Sequence, residues 1–365
     1  MQVGLKPFGE YRIYMYNYRN VHFTEENHMQ YRKLGRTDLM VSCIGFGGLP
    51  FAGLRQDEAY KVLNVALDEG VNFIDTARGY RESEELIGNA VADRRGDYYL
   101  ATKARTRTES SIMEELERSL NNLKTDLIDL YQIHYVNTRD EFAEVMKKGG
   151  AFDVFKKLQK EGTIRFTGIT GHNTQVLLDA AKTGAFDTIQ GAFSYIERDQ
   201  KVFDLIDYCA SNDIGFIVQK PLAGGALTCA ASALKYILQF PVSTVIPGMV
   251  SVEQVEENTA LADEHYTLSE REEGELDEIV DQLDKNFCRR CYYCHPACPE
   301  NIRIGVILEF YGKAKFQENL ELARRWYRGY KINSTNCTEC GQCEPECPYG
   351  LPIRQMLKEA HELLK

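Results

Sequence analysis

Three side chains that can carry charge or move protons close three successive apolar runs of this sequence. Asn72-Phe-Ile-Asp75 ends in a carboxylate, Tyr98-Tyr-Leu-Ala-Thr-Lys103 in an ammonium, and Leu127-Ile-Asp-Leu-Tyr-Gln-Ile-His134 in an imidazole. A phenol follows the first of them, in Ala77-Arg-Gly-Tyr80. The chemistry that suits an Asp, a Tyr, a Lys and a His gathered in one place is carbonyl reduction. Tyr80 would give a proton to the carbonyl oxygen as hydride reaches the carbon. A free phenol has a pKa of about 10 and is a weak acid at neutral pH. The Lys103 ammonium is expected to lower that value. Asp75 would pair with Lys103 and orient it, and His134 would hydrogen-bond the substrate oxygen. Singly, each residue is better read as part of a strand-supporting ion pair or as a loop aromatic or histidine. The reading rests on all four arriving together.

What must bring them together is the framework of apolar runs. These fall at Val41–Phe46, Asn72–Asp75, Tyr98–Thr102, Leu127–Ile133, Phe166–Ile169, Thr188–Gly191, Ile214–Gln219 and Thr244–Ile246. Short β-branched runs of this kind read as buried parallel strands. Helical patterns lie between and after them, at 57–69, 83–93, 109–123, 152–161, 174–182, 200–212, 230–239 and 252–261, and Gly70 and Gly162 sit where helices stop. Strand and helix alternating eight times predict an α/β fold, a (β/α)8 TIM barrel, in which all strand C-termini meet at one mouth. An open doubly wound sheet also alternates strand and helix. It needs fewer units, however, and no Gly-x-Gly-x-x-Gly turn follows the first strand.

The bulk properties bound the rest. The chain has 365 residues, 43 basic against 54 acidic side chains and a net charge of −11, which argues against nucleic-acid binding. No apolar stretch is long enough to span a bilayer, so no membrane partner is expected. No basic-then-apolar leader opens the sequence, and the cysteine usage is that of metal sites, so a cytoplasmic, reducing location is expected. We divide the chain into a Tyr-rich N-terminal extension (1–28), which is either a mobile arm or a cap on the barrel, then the barrel (29–285) and a small mainly helical domain (286–365). Residues 263–285 form a strongly acidic helical stretch that leaves the barrel.

Asn72-Phe-Ile-Asp-Thr-Ala-Arg-Gly-Tyr80, Ala101-Thr-Lys103 and Asp126-Leu-Ile-Asp-Leu-Tyr-Gln-Ile-His134 together resemble the aldo-keto reductases. The resemblance runs from about Met29 to Leu261. It implies a (β/α)8 barrel whose Asp75, Tyr80, Lys103 and His134 reduce a small-molecule carbonyl substrate with NADH or NADPH. The family's nicotinamide contacts map to Thr170, Gly171 and His172 after the fifth strand and to Gln190 after the sixth. After the seventh, Gln219 or Lys220 replaces the usual stacking tyrosine. On the adenine side the match is Asn258. NADPH-using members resemble Ile-Pro-Lys-Ser followed by an Arg, whereas this chain has Gly248 and Gln254 at those places. It has no Lys or Arg between Lys235 and Arg271. A 2′-phosphate would find no cation there.

Eight of the eleven cysteines lie in two matching runs, Cys288-x2-Cys291-x2-Cys294-x3-Cys298-Pro and Cys337-x2-Cys340-x2-Cys343-x3-Cys347-Pro. This doubled pattern resembles the bacterial ferredoxin run, whose fourth cysteine serves the other cluster. The resemblance implies two 4Fe–4S clusters, one on Cys288, Cys291, Cys294 and Cys347, the other on Cys337, Cys340, Cys343 and Cys298. Zinc sites instead use two separated Cys-x2-Cys pairs. The connecting segment, 305–331, reads as helix with a basic face that is first of all a solvated face, and that would also suit a redox partner protein or the acidic stretch 263–284. A hydride carrier and one-electron clusters normally meet through a flavin; no flavin signature stands out, but a barrel mouth can bind one without a motif, so a flavin stays among the candidate cofactors. The reading is an aldo-keto reductase type oxidoreductase coupled to two electron-transferring clusters. The alternative is an electron-transfer or assembly subunit with an inactive barrel.

Overall fold

The computed structural model describes residues 22–24, 27–51, 53–263, 266–283, 287–288, 294–316, 320–347 and 350–365. Residues 1–21 of the expected extension and Cys291 lie outside the described residues.

A small antiparallel sheet comes first, formed by β1 (His22–Thr24), β2 (Asn27–Lys33) and β3 (Met40–Ser42). Its β2–β3 turn is pressed onto the barrel floor. At Gly35 (φ +55°) a Cβ would lie 2.1 Å from the backbone nitrogen of Gly215, so no other residue fits. Leu34, Leu39 and Val41 pack there with Phe73, Ala101, Leu130 and Ile217 and fill the lower barrel interior.

The barrel strands are β4 (Phe46–Gly47), β5 (Phe73–Asp75), β6 (Tyr99–Ala104), β7 (Ile128–Ile133), β8 (Ile164–Thr170), β9 (Thr188–Ala192), β10 (Gly215–Gln219) and β11 (Thr244–Val245). They form one eight-stranded sheet in sequence order, and each neighbouring pair is parallel. Parallel bridges Ile44–Val245 and Gly47–Gly248 join its first and last strands and close the cylinder. The eight-unit expectation therefore holds, with one correction. The run Val41–Phe46 is not a single strand, because Met40–Ser42 pairs with β2 and only Phe46–Gly47 enters the barrel. The break follows a polar clasp, in which Ser42 N donates to Asn72 Oδ1 (2.7 Å) and Asn72 N to Ser42 Oγ (3.1 Å).

The helices are α1 (Gln56–Asp68), α2 (Ser83–Val91), α3 (Glu109–Leu123), α4 (Arg139–Met146), α5 (Ala151–Glu161), α6 (Thr174–Lys182), α7 (Gln200–Ser211), α8 (Ala230–Leu238), α9 (Val252–Thr259) and α10 (Glu270–Leu283). Several begin at side-chain caps that satisfy orphan N–H groups, among them Thr108, Asn173 and Asp199. Helix α4 lies in the loop 137–150, where sequence periodicity gave no helix. Thr138 and Glu141 form a capping box that starts it. The acidic helix α10 binds the barrel: Asp277 accepts from Tyr195 Oη (2.9 Å) and Arg198 (3.2 Å), and Glu272 pairs with Lys235 (3.2 Å).

The C-terminal part carries α11 (Ile304–Phe316), α12 (Leu320–Arg328) and α13 (Ile353–Leu364). The segment expected as one helix is thus α11 followed by α12. Its apolar centre contains Ile304, Ile307, Leu308, Leu357 and Leu364, with Cys294 and Cys343 buried and Cys288, Cys298, Cys337 and Cys347 packed against it. Two cationic side chains on α11 and α12 are held within this unit. Lys315 donates to Tyr311 Oη (3.1 Å), and Arg324 donates to Leu363 O (3.2 Å).

Candidate active site

Parallel pairing in register places Asp75 at the end of β5, Lys103 near the end of β6, His134 just past β7 and Thr170 at the end of β8, all on the C-terminal rim. The rim is completed by His134 N donating to Ala104 O (2.8 Å). Lys103 is fully buried. Its Nζ donates to Asp75 Oδ1 at 2.5 Å and to Thr76 O at 2.7 Å. Burial pushes the Asp75 carboxyl up and the Lys103 ammonium down, each towards its neutral form, and each partner's charge opposes the other's shift.

Tyr80 lies over this pair. Lys103 Nζ is 5.1 Å from the centre of the Tyr80 ring, and the Tyr80 and His134 rings meet edge to face with centroids 5.7 Å apart. The structure therefore brings Asp75, Tyr80, Lys103 and His134 into one cluster. It corrects the electrostatic expectation for Tyr80, however. The phenol is pushed up rather than down, first by burial and then by the negative charges of Asp75 and Glu309. The reason is that Lys103 spends its close contacts on Asp75 and the Thr76 carbonyl. His134 moves the other way. Burial first, then the cations Lys103, Arg105 and Arg107, hold it well below the ordinary imidazole value, so the ring is neutral. Arg107 also donates to the His134 carbonyl at 2.7 Å.

Two residues that the sequence reading passed over support the cluster. Gln132, on β7, donates from Nε2 to Asp75 Oδ2 (3.1 Å) and to Gln190 Oε1 (2.8 Å). Its signal was a polar side chain inside an apolar run. Glu84, fully buried at the start of α2, accepts from Thr102 and Ser119 (both 2.7 Å) and pairs with Arg78. Arg78 N in turn donates to Lys103 O (3.2 Å), so the network anchors the loop that carries Tyr80.

The expected dinucleotide positions are used unequally. Thr170 is buried and accepts from Tyr135 N (3.1 Å). Gly171 is a close-packing position, since a Cβ would lie 2.3 Å from Val136 O, and its carbonyl accepts from Gln219 Nε2 (2.8 Å). His172 packs its ring against Tyr135 (5.5 Å) and donates its backbone N–H to Asn137 Oδ1 (2.6 Å). Lys220 holds a left-handed backbone (φ +56°), and Asn258 is buried on α9. Gln190 Nε2, Asn137 Nδ2 and His134 Nδ1 are buried without hydrogen-bond partners. Orphaned polar groups of this kind fit a polar ligand such as a carboxamide or carbonyl. On the adenine side, Gly248 leaves no room for a cation, because a Cβ there would lie 2.4 Å from Pro50 Cγ. Gln254 is spent on the α9 N-terminus, accepting from Val250 N (2.8 Å).

In the C-terminal part, Cys298, Cys337, Cys340 and Cys343 line one pocket together with Ile302, Gly341 and Arg354. Cys298 thus joins three cysteines of the other run. Among the described residues no three Cys, His, Asp or Glu side chains converge tightly enough to hold a single metal ion. Four thiols around a cavity fit a polynuclear cluster. Of the remaining thiols, Cys288, Cys294 and Cys347 adjoin the same apolar centre.

A closed parallel barrel with this rim, followed by a four-cysteine cavity, defines the class: a barrel oxidoreductase carrying an iron–sulfur domain. The chain belongs to the aldo/keto reductase family, whose model matches residues 43–232, and a 4Fe-4S dicluster domain matches residues 281–351. It is 30% identical over 308 residues to L-galactose dehydrogenase of Arabidopsis thaliana, which covers 70% of this chain and 95% of the relative. It is 32% identical over 214 residues to the uncharacterized oxidoreductase YqkF of Bacillus subtilis, covering 55% and 67%. Over 225 residues it is 28% identical to the NADH-specific methylglyoxal reductase of Escherichia coli, covering 53% and 68%. The holo form of a Bacillus halodurans aldo-keto reductase superposes with a TM-score of 0.59 at 27% identity, covering 69% of this chain and 96% of that one. No helix among the described residues is long and apolar enough to cross a membrane.

Proposed function

We propose that this chain reduces an aldehyde or ketone with Asp75, Tyr80, Lys103 and His134 as its catalytic set, NADH as hydride donor, and two 4Fe–4S clusters that pass electrons to or from a redox partner. The observation that carries the reading is the buried Asp75–Lys103 contact beneath Tyr80, with His134 beside it.

A bound nicotinamide supplies hydride, and the rest follows from the protein's own groups. Neutral His134 donates a hydrogen bond to the carbonyl oxygen and polarises it. Tyr80 keeps its proton until that oxygen becomes an alkoxide, which is a strong enough base to take it. The high phenol value suits a donor that must not ionise between turnovers. Asp75 with Gln132 holds Lys103 in place beneath the Tyr80 ring.

NADH is favoured over NADPH because Gly248 is packed against Pro50 and Gln254 serves α9, which leaves no cation for a 2′-phosphate. The NADH-specific methylglyoxal reductase among the relatives agrees with that choice. The clusters would sit on Cys288, Cys291, Cys294 and Cys347, and on Cys337, Cys340, Cys343 and Cys298. The barrel occupies 29–285 and the cluster domain 286–365, and the protein is cytoplasmic.

A second reading, an electron-transfer subunit with an inactive barrel, draws on the internal use of Thr170 and Gly171. Titration of the anaerobically reconstituted protein with NADH and NADPH separates the two. Tight NADH binding and NADH-dependent aldehyde reduction that vanishes in Tyr80→Phe support the reductase. Failure to bind either nucleotide establishes the second reading.

A further inference from the structure

The cluster domain meets the barrel at the mouth. Leu322 of α12 lies 3.8 Å from the Cβ position of Gly53, in the loop after β4. Trp326 of the same helix stands beside Arg81, the residue after Tyr80, with the Arg81 guanidinium 5.7 Å from the indole centre. Lys313 of α11 brings a second cation to within 5.4 Å of that ring. Two cations sharing one indole repel each other unless negative charge is nearby.

Glu309, one turn before Lys313 on α11, supplies one carboxylate, and its charge reaches Tyr80. Arg81 is different. Among the described residues it forms no ion pair, although it is held in a left-handed backbone (φ +51°) that a side chain adopts only under constraint. The indole N–H of Trp326 is buried and has no acceptor. A buried donor left unpaired costs about 1–3 kcal/mol, and groups of that kind mark places where a partner is missing.

We propose that Arg81, Lys313 and Trp326 form an anion subsite at the junction of the two domains, and that it binds the carboxylate of an oxo-acid substrate whose carbonyl lies at Tyr80. This rests on the reductase reading and narrows its substrate to carbonyl compounds that carry a carboxylate. A planar guanidinium and an indole N–H match a carboxylate's two oxygens, with Lys313 adding charge. The cluster domain then completes the substrate site as well as carrying electrons.

Trp326 is the only tryptophan in the chain, so its emission reports the subsite directly. The anaerobically reconstituted full chain is titrated with 2-oxobutanoate and, separately, with uncharged 2-butanone. NADH-dependent kcat/KM is measured for both. We expect 2-oxobutanoate alone to shift the emission. Arg81→Met should weaken that binding about 10- to 100-fold, the range for a charge-assisted hydrogen bond. Arg81→Lys should fall between, and kcat/KM for 2-butanone should stay unchanged. Equal responses to both probes overturn the subsite, as does an Arg81→Met loss that is the same for both substrates. Loss of the NADH response instead of the 2-oxobutanoate response would assign the cations to the cofactor and also overturn it. Arg81-dependent 2-oxobutanoate binding without turnover would uphold the subsite while refuting the reductase reading.

Discussion

Lys103→Met removes the ammonium from a side-chain pair whose members are 0% and 3% exposed. The variant leaves Asp75 hydrogen-bonded to Gln132 Nε2, 3.1 Å away, without a counter-charge at Lys103. Stranding one member of a buried ion pair costs about 3–5 kcal/mol. The carboxyl can escape by keeping a proton, and the sign of the pH dependence follows. Unfolded Asp titrates near about 4. In the folded wild type burial already raises Asp75, and Lys103 is the principal opposing influence. In the variant the folded value therefore rises further. Between the two values the folded state holds a proton that the unfolded state has lost. Stability must then fall as pH rises, by about 1.4 kcal/mol per pH unit, until the folded carboxyl ionises. The assay is chemical denaturation of the barrel transition from roughly pH 4 to roughly pH 8, the carboxylate-to-neutral range, with Lys103→Met, Asp75→Asn and the double variant compared as a cycle. The double variant should recover most of the loss. A Lys103→Met cost below about 1 kcal/mol with the wild-type pH slope would refute the reasoning, because the pair would not then be a dry one.

Other consequences follow from the same geometry. Tyr80→Phe should lower carbonyl reduction by about 10²- to 10⁴-fold while leaving the fold intact by circular dichroism. Because the phenol is raised, the reduction rate should show no loss from Tyr80 ionisation across the neutral range, and a Tyr80-dependent falling limb there would contradict the assignment. His134 is held neutral when folded, whereas the unfolded chain takes up a proton below about pH 6.5. Stability should therefore drop as pH falls through that value, by about 1.4 kcal/mol per unit at most, and His134→Gln should remove that component. Cys298→Ala should abolish the electron paramagnetic resonance signal of the cluster on the second cysteine run, and Cys347→Ala that of the first. The reverse pattern would show that each run binds its own cluster.

The sequence alone determined the repeated strand–helix alternation and where the candidate catalytic residues stand along it. Apolar runs closed by Asp75, Lys103 and His134 locate strand ends, and a parallel barrel has a single face on which such ends can meet. The two cysteine runs likewise stand out by their matched spacing, and the dicluster-domain match covers both of them. The sequence was silent where partners are distant in the chain. The β2–β3 floor, the splitting of Val41–Phe46 and the roles of Gln132 and Glu84 depend on contacts that periodicity does not encode. Charge behaves in the same way. Proximity to Lys103 argued for an acidified Tyr80, but ion pairing and burial reversed the direction, because in a dry site the closest counter-ion captures the cation. Only the folded chain could bring Trp326 and Glu309 of the C-terminal helices to the loop of Tyr80, for no local preference links segments so far apart.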